Sequence, residues 1–313
     1  MELFIWSSIF IVSLAALIIA SRYFTQSAEK LGLMLGISPF IIGVTIVSIG
    51  TSLPELISSV FAVVENASEM VAGNVVGSNV VNIFLILGVG AIVGGRLHID
   101  FDLLHVDLPL LLGSAFFIVI TLMDKIFTPF EAVLSLVGLV IFVGYTISSA
   151  HKERVANNTT REPFRLLPII ILIVSCFFVY LGAKYTVQSV IRLSELLNTG
   201  TEIVAITAVA LGTSLPELAV TIAAAREGKG ELVVGNVLGS NIFNTFAVMG
   251  IPGLIGSLSI TQTIQWTGLP FLIIASILFF VTTQDKQVSR WEGAMFILFY
   301  GLFIAKILNF SWG

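Results

Sequence analysis

Charge is scarce in this sequence. Only 15 basic and 19 acidic residues are spread over 313 positions, 11% of the chain, whereas 57% is hydrophobic and the mean hydropathy is +1.04. So few charges cannot cover a water-soluble domain of this size, which excludes that class and points to a polytopic membrane protein. A single cysteine, Cys176, excludes an internal disulfide and, lying in an apolar run, is expected simply to pack. The three histidines, His98, His105 and His151, fall outside the apolar runs and are expected in loops, so nitrogen and sulfur ligands are missing from any intramembrane site. There is no HExxH and no Ser-His or Cys-His arrangement, so an enzyme is not expected. Nor does a basic start precede the first apolar run. Glu2 stands there and the run extends to Ala20, as in a retained span rather than a cleaved signal.

What is present is apolar sequence in lengths that span a bilayer, roughly 17–25 residues each. Ten such segments are expected, at 3–21, 38–64, 70–94, 107–123, 127–147, 166–184, 201–225, 231–256, 266–284 and 291–311. The one substantial polar stretch, 149–165, divides them five and five. The two halves resemble each other. At an offset of 162, Arg22, Tyr23, Gln26, Ser27 and Lys30 face Lys184, Tyr185, Gln188, Ser189 and Arg192. At an offset of 161, Leu108-Pro109 faces Leu269-Pro270, Asp124-Lys125 faces Asp285-Lys286, and Glu131 faces Glu292. The expected fold is therefore an all-α polytopic membrane protein, ten transmembrane helices as two inverted five-helix repeats. Its expected units are 1–148, a linker at 149–165, and 166–313. Five is odd, so consecutive copies lie in opposite orientation, which places a binding site near the midplane between them.

Basic residues set the expected sidedness. With the N-terminus outside, cytoplasmic segments hold Arg22, Lys30, Arg96, Lys152, Arg154, Arg161, Arg165, Arg226, Lys229, Lys286 and Arg290. The outer side then holds only Lys125, Lys184, Arg192 and Lys306. Both termini of this multi-pass cell-membrane protein are expected outside and the 149–165 loop in the cytoplasm.

The strongest feature of the repeat is a pair of phrases. GTSLPE occurs at 50–55 and again at 212–217, followed by GNVVGSN at 73–79 and GNVLGSN at 235–241. Glu55 and Glu217 thus sit in hydrocarbon, where a charge costs about 2.5–3.5 kcal/mol even on insertion scales. On a helix, Thr51 and Ser52 share the face of Glu55, four and three residues away. Pro54 has no N–H to give the carbonyl of Gly50, so the helix is expected to break and turn carbonyl oxygens toward a protein-lined or wet cavity. Gly212, Thr213, Ser214, Pro216 and Glu217 repeat the device. A proline kink with a capping serine and a snorkelling acid explains one copy; it does not explain two at equal depth. In the second phrase Gly73, Gly77, Gly235 and Gly239 are spaced for close helix packing, with Asn74 and Asn236 as polar glue. Ser78 with Asn82, and Ser240 with Asn244, lie deeper and are expected to contact an ion.

The resulting donor set is oxygen only, which suits hard cations and not zinc, copper or iron. Two carboxylates neutralise one divalent ion, and calcium accepts irregular cages of six to eight oxygens. Sodium is close to calcium in size, so one cage could hold either. A channel is the competing class, but channels build pores from subunit rings or symmetric filters.

These phrases resemble the two α-repeats of the cation/calcium exchanger superfamily, specifically the sodium/calcium exchangers and their prokaryotic relatives, over essentially the whole ten-helix core. The resemblance implies an antiporter that exchanges Ca2+ for Na+ by alternating access. The implied ion ligands are Glu55 and Glu217, with Thr51, Ser52, Thr213, Ser214, Ser78 and Ser240. The carbonyls of Ser48 and Ala210 join them as sodium contacts. It also implies that the helices at 3–21 and 166–184 slide as the moving gate. Some relatives carry aspartate at the place of Asn82 or Asn244, where this chain has asparagine at both, which weakens a potassium-coupled reading. Proton-coupled calcium antiport is the alternative, but only Glu55 and Glu217 could carry the proton. No cofactor and no nucleic-acid partner are expected. The partners are the two ions and the bilayer, and one chain closes its own site, so a monomer suffices.

Overall fold

The computed structural model describes residues 1–34, 48–99, 106–157, 166–197 and 200–308. Within them the chain is helical, with four very short strands between helices. In order these are α1 (Glu2–Met34), α2 in two pieces (Ser48–Thr51 and Leu53–Val64), α3 (Glu69–Gly94), β1 (Arg96–His98) and α4 (Asp107–Thr121). Then come β2 (Ile126–Phe127), α5 (Pro129–Asn157), α6 (Leu167–Leu197), α7 (Thr201–Arg226, interrupted at Ser214), α8 (Gly230–Ile255) and β3 (Leu258–Ser259). Last are α9 (Ile264–Thr283), β4 (Gln287–Ser289) and α10 (Arg290–Ile307).

By length and hydropathy alone, six helices among the described residues can cross a membrane, at Glu2–Phe24, Glu69–Gly94, Pro129–Ser148, Thr201–Arg226, Gly230–Ile255 and Ile264–Thr283. Ten were expected. Leu53–Val64 and Asp107–Thr121 are apolar but shorter, α10 carries Arg290, Glu292 and Lys306 within its 18 residues, and the expected span 166–184 falls in α6, which is not one of the six. The beginning of the expected span 38–64, most of its linker's second half (158–165) and the end of the span 291–311 lie outside the described residues. Three helices run past their expected ends, α1 to Met34, α5 to Asn157 and α6 to Leu197. Hydropathy marks where a lipid-compatible surface stops, while a helix continues wherever good helix formers follow. Two histidines expected in loops accordingly belong to regular structure, His98 to β1 and His151 to α5, while His105 lies outside the described residues.

The core is built around α3 and α8: in their apolar 18-residue stretches 83% and 94% of residues are buried, against 18% in that of α1. Their glycines explain the close packing. A Cβ on Gly77 would stand 2.6 Å from the carbonyl oxygen of Ile206 and 2.8 Å from the Ala210 methyl, and one on Gly73 would stand 3.0 Å from the carbonyl of Glu202. α3 therefore lies backbone to backbone on α7. Outside this core α1 and α6 run antiparallel: a Cβ on Gly182 would stand 2.8 Å from the Leu17 amide, and Thr186 Oγ1 donates to Ser13 Oγ at 3.1 Å.

Local details recur at the repeat offset, with partners exchanged between halves. β1 pairs antiparallel with β4 and β2 with β3. The amide of Ile99 donates to the Lys286 carbonyl, and that of Ile260 to the Lys125 carbonyl, both at 2.9 Å. Lys125 and Lys286 both take positive φ, as do Asn66 and Gly228. Thr128 with Glu131, and Ser289 with Glu292, form the same reciprocal cap. The β1–β4 pair gathers Arg96, Lys286 and Arg290, and Gly230 packs on His98, which brings Arg226 and Lys229 to that same end.

A buried acid pair between the two helix breaks

The helix breaks fall where proline predicts. Ser52 (φ −83°, ψ 7°) and Ser214 (φ −85°, ψ 5°) each interrupt a helix that restarts at once with proline in its first turn. That restart places Glu55 and Glu217 at a helix N-terminus, where unpaired amides favour negative charge. Both glutamates are fully buried.

The breaks also redirect the serines. On an unbroken helix Ser52 would serve Glu55 and Ser214 would serve Glu217. Instead Ser52 Oγ donates to Glu217 Oε1 at 3.1 Å and Ser214 Oγ to Glu55 Oε1 at 3.1 Å, so each half holds the other's carboxylate. The expectation that Ser52 lies on the face of its own Glu55, and Ser214 on that of Glu217, is thereby corrected. It assumed helical geometry through the residue at which the helix stops. Ser78 Oγ also donates to Glu55 Oε1, at 3.4 Å. Thr51 and Thr213 turn their hydroxyls onto their own helices, to Ser48 O at 3.3 Å and Val209 O at 3.0 Å. The Ser48 carbonyl also accepts the Ser52 amide at 3.0 Å, and the Ala210 carbonyl accepts the Ser214 amide at 3.2 Å.

Several buried oxygens at this level have no protein partner among the described residues. They are Glu55 Oε2, Glu217 Oε2, Ser240 Oγ and the Oδ1 atoms of Asn82 and Asn244. Among the described residues no lysine, arginine or histidine is bonded to either carboxylate. Buried polar atoms are normally satisfied, and a carboxylate oxygen sealed from water needs a cation or a donor. Asn74 and Asn236 play the part expected of glue. Their amides reach the backbone carbonyls of Glu55 at 3.3 Å and Glu217 at 3.5 Å, and Asn74 also reaches Ser59 Oγ at 3.2 Å. Sequence reasoning missed Asn79 and Thr245, which bond across the same level. The signal was there as the last letter of GSN in both phrases. It also missed the wide π-type turns that contain Asn82 (Val81–Leu87) and begin at Asn244 (Asn244–Val248).

A helical membrane protein whose two broken helices exchange serine–carboxylate bonds around buried acids has the form of an ion carrier. The sequence matches the family described as sodium/calcium exchanger protein over residues 6–149 and 167–308. It is 34% identical to the sodium/calcium exchanger MaX1 of Methanosarcina acetivorans across 96% of this chain and 97% of that one. It is 31% identical to the inner membrane protein YrbG of Escherichia coli across 98% and 97%. Among solved structures, it superposes on the sodium-calcium exchanger NCX_Mj, soaked with 2.5 mM Na+ and 10 mM Sr2+, with a TM-score of 0.72 and 28% identity, covering 97% and 99% of the two chains. The chain belongs to the sodium/calcium exchanger family.

Proposed function

We propose that this protein moves Ca2+ in exchange for Na+ by alternating access, with both ions using one cage between the halves. The observation that carries the reading is the exchanged pairing of Ser52 with Glu217 and Ser214 with Glu55, which leaves the second oxygen of each acid without a partner among the described residues. Two carboxylates with hydroxyl, amide and carbonyl oxygens make a hard-cation cage of charge −2, matched by one Ca2+. The cage comprises Glu55 and Glu217 with Ser48, Thr51, Ser52, Ser78, Asn82, Ala210, Thr213, Ser214, Ser240 and Asn244. All of these are buried.

Ten crossings in two inverted five-helix units, 1–148 and 166–313, agree with the partner-exchanged strands, caps and amide bonds, which a twofold axis in the membrane plane would generate. The basic end formed around β1 and β4 is then cytoplasmic, and the α1–α6 pair is the moving element. Calcium-45 uptake into proteoliposomes is expected to require an outward sodium gradient. Uptake indifferent to sodium and driven by a proton gradient would replace this reading with proton-coupled calcium antiport. If three Na+ cross per Ca2+, one net charge moves, about 2.3 kcal/mol per 100 mV, and clamping the potential with valinomycin changes the rate.

A further inference from the structure

Both second phrases end in an asparagine, Asn79 and Asn241, one residue past the serines of the site. Both are buried, yet they are used differently. Asn79 Nδ2 crosses from α3 to α8 and donates to the Asn241 carbonyl at 3.3 Å and to Thr245 Oγ1 at 3.2 Å. Asn241 Nδ2 turns back onto its own helix, to the Val237 carbonyl at 2.6 Å. The position that answers Thr245 in the first half is Ile83, which offers no acceptor. The orientation of the Asn79 amide follows from its partner, because a peptide oxygen only accepts and must face the nitrogen.

The bond falls where α8 changes pitch. The regular helix Gly230–Phe243 gives way to the wide turn Asn244–Val248. Such a turn takes carbonyls out of their usual pairing with the amide four residues on, and the carbonyl of Asn241 just upstream accepts both the Asn244 amide and the Asn79 side chain. Its other acceptor, Thr245, is the residue after Asn244. On its own helix Asn79 follows Ser78 and precedes Asn82 by three. One carboxamide thus sets the depth of the Ser78–Asn82 stripe against the Ser240–Asn244 stripe.

We infer that Asn79 is a positioning residue of the ion cage, holding Asn244 in register through the Asn241 carbonyl and the Thr245 hydroxyl, and that Asn241 has no matching role. This rests on the reading above that Asn244 faces the ion. The test uses purified full-length protein in proteoliposomes, with calcium-45 uptake measured against calcium and sodium concentration for Asn79→Leu, Thr245→Val and Asn241→Leu. A single intramembrane hydrogen bond is worth about 0.6–1.7 kcal/mol, so Asn79→Leu and Thr245→Val are each expected to raise the half-saturating calcium concentration roughly three- to eighteenfold. Their maximal rates are expected to stay within about twofold, and combining them adds little beyond Asn79→Leu alone. Asn241→Leu is expected to lower the thermal midpoint as Asn79→Leu does, while leaving half-saturation within about twofold. If Asn79→Leu does not fold, Thr245→Val carries the test, since it removes one of the two acceptors of the Asn79 amide from the other side. Equal shifts in Asn79→Leu and Asn241→Leu, or wild-type half-saturation in Thr245→Val and Asn79→Leu, overturn the inference. Glu217→Gln, run alongside, separates the two readings. Its loss of transport with a wild-type Asn79→Leu sinks only the positioning role, whereas transport retained in Glu217→Gln sinks the cage itself.

Discussion

The two most buried spans, α3 and α8, and the antiparallel pair α1 and α6 are made differently. α3 and α8 are buried over most of their length, meet α7 and α2 through glycines and amides, and share one continuous hydrophobic core. α1 has only Leu17 and Ala20 in a separate apolar cluster, packed by Leu14, Leu53, Ile57 and Phe61, while Phe4, Ile11, Val12 and Ile19 face outward. Its tightest partner is α6, through Gly182 on Leu17 and Thr186 on Ser13. A frame that holds ligands must resist deformation. A pair that slides must instead hold to itself more firmly than to the frame. Under the exchange proposed above, the contacts that must slip are those of Phe10, Val187 and Val190 with the main core and of Leu14 with Gly212.

The largest effect is expected in the frame. Glu55→Gln and Glu217→Gln are each predicted to abolish calcium uptake while the protein remains folded. In ion-free detergent both are expected to raise the thermal midpoint, because each removes a carboxylate that burial penalises and that no cation among the described residues pairs with. Calcium flux retained in both variants would dissolve the distinction between a ligand-bearing frame and a mobile pair.

Disulfides sharpen the comparison next. In a Cys176→Ser background, the pair Ser13→Cys with Thr186→Cys joins α1 to α6, where the native hydroxyls are 3.1 Å apart. If the two helices move together, oxidation leaves calcium uptake largely intact. The pair Leu17→Cys with Leu53→Cys instead ties α1 to α2, whose side chains share the small cluster. Oxidation is then expected to stop transport and reduction to restore it. Transport that survives the α1–α2 disulfide would mean that α1 belongs to the frame.

Much of this frame is legible in the amino-acid order. Pro54 and Pro216 announce the breaks because a missing N–H is a local fact. Gly73 and Gly77 announce a close crossing because nothing else suits a small residue every fourth position in a span. The crossing-over of Ser52 and Ser214 is not legible, since it depends on which way a side chain points once the helix has stopped. The wide turns at Asn82 and Asn244 leave no mark either, because the same residues would serve a regular helix. The extent of α1 and α6 is hidden for the opposite reason: their ends are polar, and hydropathy is silent about polar helix. The pairing of β1 with β4 joins segments too far apart in sequence, and too short, for any pattern to show.

A smaller effect separates glycines of the frame from glycines of the surface. Gly77→Ala drives a methyl to 2.6 Å from the Ile206 carbonyl and 2.8 Å from Ala210 Cβ, neither of which is a flexible end. Overpacking of this kind costs about 1–3 kcal/mol; the backbone struck is that of Ile206, and the Ala210 methyl is pushed with it, so calcium half-saturation is expected to rise together with a fall in the thermal midpoint. Gly113→Ala and Gly301→Ala meet nothing within 4 Å. They are expected to leave transport unchanged and the midpoint level or slightly higher.

The smallest effect comes from two hydroxyls at equivalent places. Ser59 and Thr221 stand four residues beyond Glu55 and Glu217, and both are buried. Ser59 Oγ accepts from the Asn74 amide at 3.2 Å, whereas Thr221 Oγ1 has no partner among the described residues. Removing a partnered hydroxyl in a membrane protein costs about 0.6 kcal/mol on average, so Ser59→Ala is expected to lower the thermal midpoint slightly. Thr221→Val keeps the shape and deletes a desolvated, unpaired group, which is expected to raise stability by about 1 kcal/mol. Opposite signs from the two substitutions would show that the halves share a plan but not every bond. The same sign in both, with calcium half-saturation also shifted in Thr221→Val, would instead make the Thr221 hydroxyl part of a hydrated route to Glu217, and the asymmetry between the halves would narrow to Asn79.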